Sequence, residues 1–355
     1  MRILLISYPL LPVSEESCGG AEQMLWTLER ELRRRGHDTS VAACDGSQVN
    51  GRLVATGPAA TAPDSLADRE TEQQARVLAE LDETRSAGNP FDLIHDESGM
   101  FWRSAASRVR EPVLATLHLP LGFYGVEALA NPPASVTINL VSDSQRNAFA
   151  SEVPRLSSAS VIQNGVALDR LRFCDAKDHY LLWLGRICEE KGTHLAIEVA
   201  EQAGLPLIIA GQVYPFSYHQ QYFAERIAPK LGPRVRFVDQ PAFARKRELL
   251  SHARALLVPT LVDETSSLVA MEAMACGTPV VAFRRGALSE VVQNHETGFL
   301  VDSVEGMLEA LTRVDEIAPH ACRAYVEQHF SAARMTAEYE SLYARVLDLA
   351  ATRAA

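Results

Sequence analysis

The stretch between the first apolar run and the first helical pattern, SYPLLPVSEESCGGAE (7–22), contains no G-x-G-x-x-G. That absence argues against a nicotinamide-dependent oxidoreductase, which needs those glycines at that place to seat a pyrophosphate. No D-x-D occurs, and no carboxylate cluster in the sequence demands a metal. The six cysteines (18, 44, 174, 188, 276 and 322) never fall at C-x-x-C spacing, and no Cys/His group has zinc-ligand spacing. Scattered single cysteines point to reduced thiols and a cytoplasmic protein. No apolar run reaches the ~18 residues of a membrane span. In the N-terminal run, Pro9 and Pro12 break the apolar pattern and Glu15 and Glu16 follow it, so a buried first strand is expected rather than a leader. Basic residues are in deficit, 34 Lys and Arg against 45 Asp and Glu, for a net charge of -11. This excludes a broad nucleic-acid face but leaves room for a small cationic site for one phosphate group.

The chain does have an alternation of short apolar runs and longer helical patterns across 355 residues, enough for two domains. In the first half, strands are expected at 2–7, 39–44, 91–95, 112–118, 135–142 and 159–166. Helices are expected at 20–36, where Ala21, Met24, Leu25, Leu28 and Leu32 form one stripe, and at 66–86. Gly36 sits where a helix C′ residue belongs, behind Arg33–Arg35. The second half repeats the scheme, with strands at 180–185, 206–211, 235–239, 255–259 and 279–283. Its helices are expected at 192–203, 217–231, 244–252, 267–276 and, in a closing region, 304–350. Such alternation means parallel sheets wrapped by helices. The expected fold is α/β: two doubly wound, Rossmann-like domains, 1–168 and 169–330, with a closing helix at 331–355 packing back toward the first. Ligands of such sheets sit at strand carboxyl ends, so the expected site lies in the cleft between domains.

In DETSSLVAMEAMACGTPVVAF (263–283), Glu264 and Glu272 stand in otherwise small or apolar surroundings with seven residues between them. A buried carboxylate is costly unless paired. Leu268–Cys276 reads as a short helix stopped by Gly277, with Ser266 and Ser267 able to cap its start. A helix start offers amide groups to a phosphate. A carboxylate on each side of it suits vicinal sugar hydroxyls. Arg186 and Lys191 flank the turn after strand 180–185, where two cations would meet a diphosphate. GGAE (19–22) places two glycines at the start of the first helix, allowing close backbone approach.

Several segments in order resemble the GT-B, family 4 (group 1) glycosyltransferases: GGAE (19–22), LRRRGHDTSV (32–41), NGV (164–166), GRICEEKGTHLAIE (185–198), AMACGTPV (273–280), GALSEVV (286–292), ETGFLV (296–301) and FSAARMTAEYESLY (330–343). The match departs at Thr265-Ser266-Ser267, where the family usually has Pro-Phe-Gly. The resemblance implies a retaining, metal-independent hexosyl-type transfer from a nucleotide-diphosphate sugar, UDP- first and GDP- next, to a hydroxyl acceptor such as a glycan, lipid or secondary metabolite. It implies a donor site of Gly19, Gly20, Gly185, Arg186, Lys191, Glu264, Ser267, Leu268, Val269 and Glu272. Glu272 is expected on the ribose, Glu264 on the donor sugar, and Arg186 and Lys191 on the diphosphate. His118, ending strand 112–118, matches the family's active-site histidine and is expected on the transferred sugar or the acceptor. Glu22, His95 and Asp96 are expected on the acceptor side. No cofactor or metal, no nucleic-acid partner and no stable membrane contact are expected. A sugar-nucleotide epimerase of the same fold and a catalytically silent sugar-nucleotide-binding module are the alternatives.

Overall fold

The computed structural model describes residues 1–17, 19–60 and 65–354. Cys18 and part of the polar stretch at 57–65 lie outside the described residues. Two compact units form: Met1–Asn164 with the C-terminal segment from Ala332, and Gly165–Ser331. No helix is long and apolar enough to cross a membrane among the described residues.

In the first unit, β1 (Arg2–Ile6), β2 (Asp38–Ala43), β3 (Arg52–Ala55), β4 (Leu93–Asp96), β5 (Val113–Leu117), β6 (Val136–Leu140) and β7 (Ser160–Val161) form an all-parallel sheet. Their order is β3-β2-β1-β4-β5-β6-β7. Both faces of such a sheet are covered, which is why RILLI and VLATL read as continuous apolar runs rather than alternating ones. Leu4, Ile6, Ile94, Val113, Ala115 and Leu140 join one core cluster. The helix Gly20–Arg34 buries Met24, Leu25, Leu28 and Leu32, the stripe expected from the sequence. It ends at Gly36, whose positive φ of 88° suits that turn.

The helix Ala332–Ala354 belongs to this first unit. Tyr339 and Tyr343 are buried on it, and the Tyr343 hydroxyl lies 2.8 Å from His95 Nδ1. Glu340 is held by Arg35 at 2.7 Å and His37 at 2.8 Å, just past the end of the first helix.

In the second unit, β8 (Leu181–Arg186), β9 (Leu207–Gln212), β10 (Val235–Asp239), β11 (Ala255–Val258), β12 (Val280–Phe283) and β13 (Gly298–Val301) are also parallel, in the order β10-β9-β8-β11-β12-β13. The core runs through Leu182, Ile209, Leu257, Met274 and Val281.

Four local expectations need correction. β3 was not anticipated, because an edge strand of four residues with one fully buried position carries almost no apolar signal. β13 was not anticipated as a strand either. The strand expected at 159–166 shrinks to two residues, since its partner β6 ends at Leu140, opposite Val161. The helix expected at 217–231 is broken. It runs as α over Ser217–Tyr222, widens to a π turn over Phe223–Ile227 and tightens over Ala228–Lys230, where Pro229 has no amide to donate.

Candidate functional site

The order of the second sheet reverses between β8 and β11, which pair side by side. Chain leaving neighbouring strands at such a point diverges and opens a crevice at their carboxyl ends. The sequence puts its cations and carboxylates there. β8 delivers Gly185 and Arg186 and the turn to Lys191, while β11 leads into Glu264 and the helix Leu268–Ala275. Gly192 closes the first turn with φ 66°, and a Cβ there would meet the Pro259 carbonyl oxygen at 1.9 Å. The two loops therefore touch backbone to backbone, and only glycine permits it. The Leu261 amide donates to the Glu190 carbonyl at 2.8 Å, tying them further.

Lys191 Nζ grips both Glu264 oxygens, at 2.6 and 2.7 Å. The cation thus pairs with the carboxylate that follows β11, across the crevice from its own turn. Glu264 is itself fixed from behind, its carbonyl accepting from the Ala287 amide at 2.8 Å. Arg186 is exposed, with its guanidinium carbon 5.6 Å from the Tyr214 ring centre.

Glu272 is buried inside the helix Leu268–Ala275. Its Oε1 accepts from Lys246 Nζ at 2.7 Å, and both side chains are about nine-tenths covered. Its Oε2 is buried with no hydrogen-bond partner. Lys246 was missed in the sequence. It lies on the helix Phe243–His252, among three other basic residues, and nothing in that run marks it as the one that turns inward. Ser267 occupies the N-cap position, but its side chain makes no capping hydrogen bond, and Ser266 Oγ is buried without a partner. The expected serine cap is thus absent. The first amides, around Leu268 and Val269, have no acceptor inside the helix, as at any helix start.

The first sheet reverses between β1 and β4. Here His95, Asp96, Glu97 and His118 lie at the ends of β4 and β5, and Glu22 lies in the first turn of the helix Gly20–Arg34. A Cβ on Gly19 would sit 2.0 Å from Glu22 Oε2, the tip of a side chain that would have to shift. Burial pushes the Glu22 carboxyl up to about 7, while its own backbone amide and the charge of His118 pull the other way. Asp96 is raised to about 6 by burial, although it accepts from the Ser98 hydroxyl and the Ser98, Gly99 and Trp102 amides. Those bonds occupy both its oxygens with its own loop.

His95 is wholly buried, with Nδ1 on the Tyr343 hydroxyl and Nε2 on the Thr116 hydroxyl, each at 2.8 Å. Its pKa is lowered, chiefly by burial. Both nitrogens thus have interior partners. The His118 side chain is largely buried too, and its Nε2 meets Glu97 Oε2 at 2.5 Å. Burial pushes Glu97 up, but the charges of His95 and His118 and the bond to His118 outweigh it, leaving Glu97 below the ordinary carboxylate range. In the sequence Glu97 reads with Asp96 as part of a polar acceptor surface; its place as the partner of His118 appears only when β4 and β5 pair.

Two parallel α/β units, one of them presenting cations and carboxylates at its sheet reversal, define a two-domain glycosyltransferase of the GT-B fold. Residues 18–170 match the model described as Glycosyltransferase Family 4 and residues 178–315 the model described as Glycosyl transferases group 1, so the chain belongs to the group 1, family 4 glycosyltransferases. The D-inositol 3-phosphate glycosyltransferase of Gordonia bronchialis is 25% identical over 99% of this chain and 90% of its own length. D-inositol 3-phosphate glycosyltransferase 2 of Catenulispora acidiphila is 29% identical over 65% of this chain and 66% of its own length. The structure of HepE from Anabaena in complex with UDP-glucose superposes with a TM-score of 0.76 at 20% identity, covering 97% of this chain and 100% of that one.

Proposed function

We propose that this chain moves a sugar from a nucleotide-diphosphate sugar to a hydroxyl acceptor with retention of anomeric configuration, and that the second unit holds the donor. The observation that carries this reading is the gathering of Lys191, Glu264 and Glu272 about one helix at the β8–β11 reversal, with Arg186 ending β8. In this reading the free Oε2 of Glu272 takes a ribose hydroxyl, relieving a buried oxygen without a partner. Arg186, Lys191 and the amides near Ser267, Leu268 and Val269 hold the diphosphate and stabilise it as it leaves. Lys191 also fixes the carboxylate of Glu264, which faces the donor sugar. UDP is the favoured nucleotide, supported by the UDP-glucose complex of HepE.

Transfer needs no magnesium or manganese step in this scheme, because fixed cations and amides carry the leaving charge. With Glu264 and Glu272 engaged on donor hydroxyls, the departing phosphate oxygen accepts the proton of the acceptor hydroxyl on the same face of the sugar. On the first unit, His118, oriented by Glu97, is the acceptor-side residue.

Arg186→Ala and Lys191→Ala are each expected to weaken nucleoside diphosphate binding at least about tenfold, roughly the 1.4 kcal/mol of one charge-assisted contact, with nucleoside binding little changed. Calorimetry with UDP and uridine on the same samples measures this. Equal losses for both ligands would remove the two cations from the diphosphate. Proton NMR of the first-formed product tests retention, and an inverted anomer would refute the same-face mechanism.

A further inference from the structure

Cys188 and Glu190 lie on the turn after β8, and His219 lies in the first turn of the helix Ser217–Tyr222 after β9. β8 and β9 are adjacent and in register, Gly185 opposite Gly211. The pairing brings His219, distant in sequence, to the turn that carries Cys188 and Glu190. A sulfur of Cys188, a carboxylate oxygen of Glu190 and a ring nitrogen of His219 all lie within 4.8 Å of one another.

His219 is 0% exposed, yet neither of its ring nitrogens has a hydrogen-bond partner. Glu190 Oε2 is likewise buried and without one. Buried polar atoms are normally satisfied, and a buried imidazole and a buried carboxylate oxygen without partners in one cluster need an explanation. The Cys188 thiol makes a long contact, 3.6 Å, to the Arg186 carbonyl and also faces the Glu190 carboxylate and the Arg186 side chain. The rings of Tyr214, Phe216 and Tyr218 pack around His219, with centroids 6.0, 5.3 and 4.2 Å away. An apolar shell of this kind limits solvent access to a metal centre.

We propose that Cys188, Glu190 and His219 bind a divalent transition-metal ion, with zinc the best match. Thiolate, imidazole and carboxylate together suit zinc, whose tetrahedral shell a water would complete. On binding, the Cys188 thiol releases its proton to solvent as the sulfur–zinc bond forms. The ion would clamp the turn 187–191 to the helix Ser217–Tyr222. That turn carries Lys191 and directly follows Arg186, so the metal is a positioning element beside the proposed donor site and takes no part in group transfer. The proposal does not depend on which sugar or acceptor the protein uses, and its test reads the metal directly.

The full chain, purified without chelator, is expected to carry one zinc per molecule by mass spectrometry of the metal. Cobalt(II) added to the zinc-stripped chain should give a sulfur-to-metal charge-transfer band and tetrahedral ligand-field bands. Cys188→Ser should abolish the charge-transfer band, and Glu190→Gln and His219→Ala should each weaken cobalt binding on the order of 100-fold, the upper end of what even outer-shell changes cost. Cys174→Ser, which removes the other cysteine near a histidine, should leave the spectrum intact. A chain that binds no zinc and gives no charge-transfer band with cobalt would overturn the proposal, as would a band that survives Cys188→Ser. Because Glu190→Gln alters a side chain at the edge of the cluster, it keeps the test decisive even if His219→Ala fails to fold.

Discussion

Replacing Glu272 with alanine is expected to destabilise the second unit by about 3–5 kcal/mol, the typical cost of stranding one partner of a buried ion pair. Lys246 would keep its ammonium inside, covered and without its 2.7 Å carboxylate. The attraction between the two charges is not the point, because both had to leave water to make it. What the substitution exposes is the unpaid desolvation of the survivor. The double variant Lys246→Met, Glu272→Leu should therefore recover most of the loss, since apolar pairs of similar volume often match or exceed buried ion pairs. Urea unfolding of the two single variants and the double variant gives the coupling. An alanine variant as stable as the parent would show that the pair is solvated, and would remove the structural role of Lys246. The same pair bears on donor binding. Lys246 occupies one oxygen of Glu272 and thereby aims the other, so Lys246→Met is expected to weaken nucleotide binding without touching the ligand itself.

One component of stability is expected to fall as pH rises from about 4.5 to about 7 and to level off above that, against the opposite contribution of His95, whose lowered pKa makes stability rise as the pH climbs toward 6.5. Glu22 drives this. Burial raises its carboxyl from 4.5 to about 7 in the folded chain, so between those values the folded state binds more protons than the unfolded one. Stability falls with pH wherever the folded state holds the extra proton. Asp96 acts in the same direction, from 3.8 to about 6. Glu97 has the opposite sign: its lowered pKa adds stability that disappears only as the pH falls through it. The ceiling for Glu22 alone is about 3 kcal/mol at about 1.4 kcal/mol per pH unit. Glu22→Gln should flatten the profile by up to that amount when unfolding is compared at about pH 5 and about pH 8. A variant with the parent's pH slope would mean that water reaches Glu22.

Much of this was legible before any coordinates. Parallel strands buried on both faces announce themselves as unbroken apolar runs, so RILLI, VLATL and PLIIAG placed most of both sheets. The helix Leu66–Ser86 matches the range expected from its pattern. Glu264 and Glu272 stood out because carboxylates are costly in apolar surroundings. Arg186 and Lys191 stood out because a strand end followed by two cations is a place for anions. Edge strands β3 and β13 were not anticipated. β3 has a single fully buried position, so its sequence carries little of the periodicity that marks a strand.

The partners were decided only by the fold. Nothing in FARKRELLSH tells which of its cations turns inward; the packing of that helix against Leu268–Ala275 selects Lys246. Glu97 meets His118 because β4 and β5 are neighbours, and sequence order does not state strand order. Cys188 and His219 lack any metal-ligand spacing, so the sequence argued against a metal. The register of β8 with β9 brings them together all the same. Sequence by itself determined which apolar segments are buried and where most strands and helices form, because apolar burial and local periodicity are written along the chain. Which charge answers which, and which side chains share a site, depends on distances across sheet and helix contacts, and those exist only once the chain has folded.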